Sequence, residues 1–504
     1  MCPQSGFHSL HDEAAVTLDV DGSLPDWLTG SLVRTGPGAF ELPGGSAVDH
    51  WFDGLAMCYR FTFDPGDRGQ GREQGEPTDA VHYRNRFLRT DAYRDASDGE
   101  FTGGFATGET TLRDRLLSLF SDPYDNTNIV VERVGDRYLA LTESPRRVVV
   151  DPTTLGTRGH HGYDGSDPSG QLACAHLKRD PATGALVNVE TAFGRTNRYH
   201  VHALTPAGDR RHLGSVETDA PAYMHSFALT PRYVVLTEFP LRVDPTRFLR
   251  PGRQPPFIEQ FEWHPDRGTR VVVLDRTTGE VVASPTTDPV FGFHHVNAFE
   301  RDGGRRIVFD LETVPDASGI GDLYLDELRD GDLGAIAGRL ERFTVDLQGD
   351  RYGVDGATVA RETLYADGTA LPTASPGRWC RPHRYVYAMS MAQPATDWAH
   401  GVLKIDTETG AVIEHTDGGA YFGEPIFVPD PDPDSDSDSD SGSNGATDDG
   451  VVLTVALDPG ADRSRLLVLD GETLTERARA TLPHAAPFDF HGRYFPEITV
   501  AARA

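Results

Sequence analysis

One short pattern recurs seven times along the chain: a run of β-forming residues, an aspartate, and a turn containing Pro, Gly or Thr. An aspartate at the end of a strand can close such a turn through its own backbone, and Gly or Thr completes it. The pattern therefore predicts a series of β-hairpins. The aspartates of the seven copies are Asp64, Asp151, Asp180, Asp275, Asp346, Asp406 and Asp470.

These hairpins predict an all-β fold. Apolar spacing typical of long amphipathic helices is almost absent from the 504 residues. Repeated hairpins are typical of a β-propeller, in which radial repetition protects the strand edges. Seven copies favour seven blades. Because a closed all-β architecture can absorb a chain of this length, we expect residues 1–504 to form a single domain.

Two segments interrupt the repeat. Leu112–Phe120 has apolar residues at helical spacing and predicts a short amphipathic helix, which either packs on the propeller or touches lipid. Pro429–Asp449 repeats Asp-Pro and Asp-Ser before a stretch of Gly, Ser and Asn. Because this composition buries too little apolar surface to become ordered, residues 429–449 are expected to form an acidic, disordered surface loop.

The composition argues against nucleic acid as a partner and indicates a saline environment. The chain has 77 acidic and 47 basic residues and a formal net charge of -30, so binding to nucleic acid is not expected. Among the basic residues only Lys178 and Lys404 are lysines, and this combination indicates a halophilic protein. Widely spaced cysteines, no visible signal peptide and no apolar run of membrane-spanning length predict a cytoplasmic location.

The histidine pair His294–His295 lies among Phe293, Val296 and Phe299 and is the first candidate site. A buried imidazole needs partners for both ring nitrogens, and a metal ion is one such partner; a hydrogen-bonded core histidine is the alternative. Inner strands of a propeller converge on its axis, so distant histidines can meet there. Three more histidines have similar settings: His176, His225 and His491. Together with one histidine of the pair they would supply four imidazoles, which would suit divalent iron, copper, nickel or zinc.

Several motifs, in their order and spacing, resemble those of the carotenoid cleavage oxygenases, the family that includes the retinal-pigment-epithelium isomerase. The resemblance runs nearly from end to end of the chain. The motifs are Gly30–Gly38, His50–Gly54, Thr142–Glu143, Phe293–Ala298, Gly423–Pro429 and Phe490–Gly492.

The resemblance implies a seven-bladed propeller with an axial metal site, capped by a dome of loops and short helices. It also implies a ferrous iron bound by His176, His225, His294 and His491, whereas His295 is expected to be structural. Fewer than six protein ligands leave positions for dioxygen and substrate.

Carboxylates that accept the proton of the other ring nitrogen orient such histidines. By motif, Glu143 and Glu424 match two of the family's three glutamates in this role. The third does not match, because Ala370 stands where the family often has glutamate before a Leu-Pro pair. Glu362, Asp367, a water molecule and a backbone carbonyl are the candidate substitutes.

The implied activity is oxidative cleavage of a conjugated carbon–carbon double bond in a carotenoid or apocarotenoid, which yields two carbonyl products. A retinoid isomerase or isomerohydrolase and a non-catalytic binding propeller are the alternatives. Family members often extract lipophilic substrates at a membrane surface, so a peripheral, hydrophobic membrane contact is expected. The residues expected to form it are Leu112, Leu116, Leu117, Leu119 and Phe120, with Phe248, Leu249, Phe257 and Ile258 as additional candidates.

Overall fold

The computed structural model describes most of the chain. The described residues are 3–66, 79–101, 104–108, 124–162, 169–250, 252–331, 337–347, 356–432 and 448–500. Two short α-helices occur among them, α1 (Asp91–Asp98) and α2 (Leu325–Asp330). Short 3-10 helices span Pro3–Phe7, Trp51–Asp53, Pro245–Leu249, Ile258–Gln260, Pro265–Arg267, Asp302–Gly304, Ser318–Leu323 and Pro376–Arg378.

The rest of the regular structure is β-strand. The strands are β1 (Ala15–Gly22), β2 (Ser31–Ala39), β3 (Leu55–Asp64), β4 (Ala80–Phe87), β5 (Val130–Val134), β6 (Arg137–Leu141), β7 (Val148–Val150), β8 (Thr157–His160), β9 (Leu172–Ala173), β10 (Lys178–Arg179), β11 (Leu186–Ala192), β12 (Asn197–Leu204), β13 (Arg210–Thr218), β14 (Ala228–Leu229), β15 (Tyr233–Glu238), β16 (Leu241–Arg242), β17 (Glu262–Trp263), β18 (Thr269–Asp275), β19 (Val281–Ala283), β20 (Thr286–Thr287), β21 (His295–Arg301), β22 (Arg306–Thr313), β23 (Gly338–Asp346), β24 (Thr358–Thr373), β25 (Tyr385–Ser390), β26 (Gly401–Asp406), β27 (Val412–His415), β28 (Tyr421–Phe422), β29 (Ile426–Pro429), β30 (Gly450–Asp458), β31 (Arg463–Asp470), β32 (Glu476–Thr481) and β33 (His491–Phe495).

The strands form antiparallel sheets that divide into seven blades. Strands β5–β8, β9–β13, and β14, β15 and β18–β20 make one blade each. The sheet β21–β27 contains two blades, because the long strand β24 pairs first with β23 and then, near its end, with β25. The last two blades join through β1, which pairs with both β32 and β4. This arrangement confirms the predicted β-propeller.

The two ends of the chain close the ring. Strand β33, near the C-terminus, pairs with β2, and residues His491–Phe495 lie opposite Ser31–Thr35. The closing blade therefore takes its inner strand from one end of the sequence and its other strands from the opposite end. Such closure leaves no long unpaired edge between the first and last blades.

Five of the seven predicted aspartate turns lie within the described residues, and these five form as expected. Asp275 Oδ1 accepts the backbone N–H of Thr277 at 2.8 Å, and Asp406 Oδ1 accepts that of Glu408 at 3.0 Å. Equivalent bonds two residues after the aspartate occur at Asp151, Asp180 and Asp470. Asp64 and Asp346 end β3 and β23, and the connections that follow them lie largely outside the described residues.

Several expectations concern segments that the structure does not describe. The proposed lipid-facing residues of Leu112–Phe120 lie outside the described residues, as do residues 433–447 of the expected acidic loop. The single-domain assignment stays a prediction. In the described part of the chain, no helix is long and apolar enough to cross a membrane. Cys58, Cys174 and Cys380 are buried free thiols.

Candidate metal centre

Four histidines from four different blades meet on the propeller axis. One ring nitrogen from each of His176, His225, His294 and His491 lies within 4.8 Å of those of the other three. Each histidine lies at or near the start of the innermost strand of its blade. His176 lies between β9 and β10, His225 before β14 and His294 before β21, and His491 is the first residue of β33. Strand ends that converge on an axis thus bring together residues 315 positions apart, from 176 to 491.

The spacing of these nitrogens fits a metal ion. Nε2 of His176 lies 3.2 Å from Nε2 of His225. Two imidazole nitrogens bound at right angles to one metal, each about 2.1 Å from it, would be about 3 Å apart. Without a proton or cation between them, two such lone pairs repel each other. The donor set, four imidazoles with no carboxylate among them, therefore fits a divalent transition metal.

The electrostatics keep three of the four imidazoles in the form that binds metal. Burial, and then the neighbouring imidazoles, hold the pKa of His176, His294 and His491 well below its usual value. All three side chains are therefore neutral at physiological pH. A neutral imidazole has a lone pair available for a cation, whereas an imidazolium has none.

The two carboxylates that the motifs indicate each contact one of these histidines. Nδ1 of His225 lies 2.6 Å from Glu143 Oε1, which also accepts the hydroxyl of Tyr223 at 2.6 Å. Nδ1 of His491 lies 2.8 Å from Glu424 Oε1. When Nδ1–H donates to a carboxylate, the lone pair on Nε2 faces inwards, towards the other histidines.

A third carboxylate is present at a position that the sequence reasoning missed. Nδ1 of His294 lies 3.0 Å from Glu312 Oε2. Two of the candidate substitutes are thereby ruled out: Glu362 and Asp367 are exposed, and neither contacts His294 among the described bonds. The side chain of Ala370 carries no carboxyl group, but it borders the same cavity as Glu312. The substitution at 370 therefore does not leave His294 without a carboxylate.

The hairpin of β21 and β22 brings Glu312 to His294. The backbone N–H of Glu312 donates to His294 O at 3.1 Å, so the two residues are neighbours across the hairpin. Gly338 makes room for the carboxylate, since a Cβ atom there would lie 2.5 Å from Glu312 Cγ. The signal available in the sequence was an acidic residue, Glu312, in a strand rich in apolar residues.

Burial also affects these carboxyl groups. It raises the pKa of Glu312 to about 8, although the backbone N–H of Leu371 opposes the shift. It raises the pKa of Glu424 to about 7 against the opposing charges of Arg34 and Arg493. A divalent cation bound by the adjacent histidines would lower both values, because it favours the charged form of each carboxyl.

His295, the neighbour of His294, is turned away from the cluster. Its Nδ1 lies 2.8 Å from Ser226 Oγ, and its Nε2 lies 2.8 Å from Thr237 Oγ1. Both ring nitrogens thus have hydrogen-bond partners within the protein, as a satisfied core histidine requires. The alternation of side chains along a strand places one histidine of the pair on the axis and directs the other into the blade.

A cavity of about 570 Å³ adjoins the histidine cluster on the side covered by the short helices. His225, His294 and His491 form part of its wall. Most of the remaining wall is apolar, and we call this space the aromatic cavity. Its aromatic residues include Trp51, Phe52, Phe105, Phe257, Phe293 and Phe490. Its volume lies within the range of about 300–1,000 Å³ that is usual for small-molecule sites.

Comparison with known proteins identifies the family. A family model described as retinal pigment epithelial membrane protein matches residues 7–496. The chain is 30% identical to the carotenoid isomerooxygenase of Galleria mellonella, over 95% of this chain and 93% of that protein. It is also 30% identical to the apocarotenoid-15,15'-oxygenase of Synechocystis, over 94% of this chain and 92% of that protein.

Solved structures agree with this assignment. A point mutant of the Synechocystis apocarotenoid oxygenase superposes with a TM-score of 0.81 at 26% identity, covering 97% of this chain and 98% of that one. The cobalt-substituted form of the same enzyme gives a TM-score of 0.80 with the same identity and coverage. The matched region includes all four histidines and all three glutamates of the centre. The chain therefore belongs to the carotenoid oxygenase family of the retinal pigment epithelial membrane protein.

Proposed function

We propose that this protein is an iron(II)-dependent dioxygenase that cleaves a conjugated carbon–carbon double bond of a carotenoid or apocarotenoid into two carbonyl products. The observation that carries the proposal is the cluster of four imidazoles, three of which (His225, His294 and His491) form part of the wall of the aromatic cavity. The imidazole cluster would hold a metal ion, and the aromatic cavity would accept a long apolar substrate beside it. The relatives are named as carotenoid and apocarotenoid oxygenases.

His176, His225, His294 and His491 are the residues that would hold the iron. Ferrous iron, when bound there, supplies the activation of dioxygen. Because imidazole is an uncharged ligand, the direct ligands do not reduce the charge of the cation, and fewer than six ligands leave room for reactants. Glu143, Glu312 and Glu424 hold three of the imidazoles in one tautomer and orientation.

The aromatic cavity positions the polyene and excludes water from its reacting bond. Phe293 directly precedes His294, and its ring lies 5.3 Å from the ring of His225. Phe52 packs against Phe293 and Phe490 at ring distances of 6.1 and 5.4 Å. These rings pack edge to face, with interplanar angles of 80° and 87°. They offer apolar surface next to the centre, which suits a conjugated chain better than a polar ligand.

An isomerase is the second candidate, because one relative is named a carotenoid isomerooxygenase. Isomerisation without cleavage consumes no dioxygen, whereas cleavage consumes one molecule for each polyene. The non-catalytic alternative loses its main support, since the missing glutamate at position 370 is matched by Glu312 beside His294.

The decisive experiment begins with anaerobic purification in high salt and quantitation of iron. β-Carotene or an apocarotenal is then added in detergent with oxygen, and products are identified by chromatography and mass spectrometry. Stoichiometric iron and two carbonyl products are the expected result. A protein that holds no iron, or an iron-loaded protein that leaves all these polyenes intact, would contradict the proposal.

We further infer that the protein works in a saline cytoplasm and collects its substrate at a membrane surface. The acidic composition with two lysines supports the first inference, and the lipophilic substrate supports the second. With a net charge of -30, any contact with acidic lipids is expected to be hydrophobic. Substituting Leu116, Leu117 and Phe120 by aspartate should reduce liposome binding and turnover of lipid-borne polyene; unchanged values would refute the membrane contact.

A further inference from the structure

Lys178 links the backbone segments that carry two of the clustered histidines. It follows His176 by two residues, on β10, and its Nζ donates to the carbonyl oxygen of His295 at 2.7 Å. His295 begins β21 and directly follows His294. Because β10 and β21 belong to different blades, this one hydrogen bond joins the segment of His176 in one blade to the segment of His294 in another.

The position of this carbonyl in the sheet explains why a side chain serves it. β21 is the first strand of its sheet and pairs with β22 alone, so its other edge has no neighbouring strand. A buried backbone carbonyl on such an edge needs a hydrogen-bond partner from elsewhere. His295 is buried, and Lys178 supplies the donor from a different blade.

Two further hydrogen bonds hold the same stretch of backbone. Ser226 Oγ donates to Phe293 O at 2.6 Å, and the backbone N–H of Glu312 donates to His294 O at 3.1 Å. Ser226 directly follows His225, another histidine of the cluster. With the bond from the lysine, three consecutive carbonyls are each held by a different segment. Two of those segments carry a second histidine of the centre.

A metal centre is sensitive to small displacements of such segments. The ring centroids of His176 and His294 lie 5.3 Å apart. Metal–ligand distances deviate from their usual values by only about 0.2 Å in a well-formed site. We propose that Lys178 is a positioning residue, which sets the separation of His176 and His294 through its bond to His295 O. This inference rests on the metal centre of the proposed function and gives Lys178 no contact with substrate.

The second lysine of the chain provides a matched control. Lys404 is 4% exposed, and its Nζ donates to Glu472 O at 2.7 Å and to the carboxylate of Asp448. These bonds also join two blades, because β26 and the strands next to Glu472 and Asp448 lie in different sheets. No histidine of the cluster is among the described partners of Lys404. It therefore makes the same kind of link away from the centre.

The test compares Lys178→Met, Lys178→Arg and Lys404→Met, with cobalt(II) bound in place of iron as a spectroscopic probe. The visible absorption bands of cobalt(II) respond to the arrangement of its ligands, whereas a change in overall stability does not move them. Lys178→Met should shift these bands. It should also bind iron about 10-fold more weakly in chelator competition, as is usual when an outer-shell partner is lost. Lys404→Met should lower the unfolding temperature and keep the bands and iron affinity of the parent protein.

Lys178→Arg keeps a charged donor and should retain most of the iron affinity. Its cobalt bands should still shift, because the planar guanidinium cannot take the place of a compact ammonium at 2.7 Å from the carbonyl. If Lys178→Met does not fold, this variant decides: unchanged bands in Lys178→Arg would then overturn the proposal.

The sign of the change in iron affinity separates positioning from charge. A positive charge near the centre repels a cation, so a purely electrostatic role predicts that Lys178→Met binds iron more tightly than the parent protein. Tighter binding, or cobalt bands identical to those of the parent, would refute the positioning role. If the parent protein binds both metals but cleaves no polyene, the proposed function fails while the bands still decide the role of Lys178. A parent protein that binds neither metal overturns both.

Discussion

Removing the Glu312 carboxylate tests whether it orients His294. In Glu312→Ala the Nδ1–H of His294 loses its acceptor at 3.0 Å, and the ring is free to rotate or to change tautomer. Loss of such a partner typically costs about 10- to 100-fold in metal affinity or activity. In free energy this is about 1.4 to 2.7 kcal/mol of iron binding. Glu312→Gln keeps a neutral acceptor near the ring and should lose less.

Iron affinity is measured by anaerobic competition with a chelator, and folding is followed by thermal unfolding of the metal-free proteins. The control is Glu341→Ala, which removes another buried carboxylate from the same sheet. Glu341 contacts Thr313 and Arg361, and no histidine is among its described partners. This variant should lower stability through the lost ion pair while iron affinity stays near that of the parent protein.

A compensating variant makes the test specific to the carboxyl group. Ala370 borders the aromatic cavity beside Glu312, and the backbone N–H of the next residue, Leu371, bonds to the Glu312 carboxylate. Combining Glu312→Ala with Ala370→Glu should therefore restore part of the lost iron affinity. If Glu312→Ala binds iron as tightly as the parent protein, the orienting role is wrong.

Further outcomes follow from the same structure. His294→Ala should abolish stoichiometric iron binding, whereas His295→Ala should mainly lower the unfolding temperature; equal iron content in both would contradict the assignment of the pair. Chelation of iron should lower the unfolding temperature. The free energy of unfolding should fall by about 2.7 kcal/mol where the free iron concentration had been 100-fold above its Kd. Phe257→Ala in the aromatic cavity should raise the KM for polyene and leave iron content unchanged; a parallel loss of iron would indicate general disruption. Although burial opposes it, Arg158 and nearby backbone N–H groups lower the pKa of Asp151 from 3.8 to about 2. Asp151 therefore stabilises the fold above about pH 4 and loses this effect as the pH falls towards 2, so Asp151→Asn should show a flatter acid-unfolding curve in that range; an unchanged curve would refute this.

The sequence alone allowed the fold and most of the centre to be predicted. The aspartate turns depend on local chemistry, since Asp275 and Asp406 bond to backbone groups two residues away. Their recurrence led directly to the propeller. The four histidines and two of the glutamates could be named because short motifs keep them next to apolar or small residues in a recognisable order.

The third glutamate could not be found in this way. Glu312 lies 18 residues from His294, in a strand that carries no motif of the centre, and only the register of β21 and β22 makes them neighbours. A shift of one residue would turn the carboxylate to the other face of the sheet. Motif matching instead led to position 370, where the side chain is alanine.

The sequence by itself determined local turns, strand content and the identity of the four clustered histidines, because each is recognised from residues close together in the chain. Only the tertiary structure decided which carboxylate serves His294 and which side chains enclose the aromatic cavity. This cavity is bounded by side chains from several blades. Its shape depends on closure of the ring, which joins β33 to β2 across almost the whole chain.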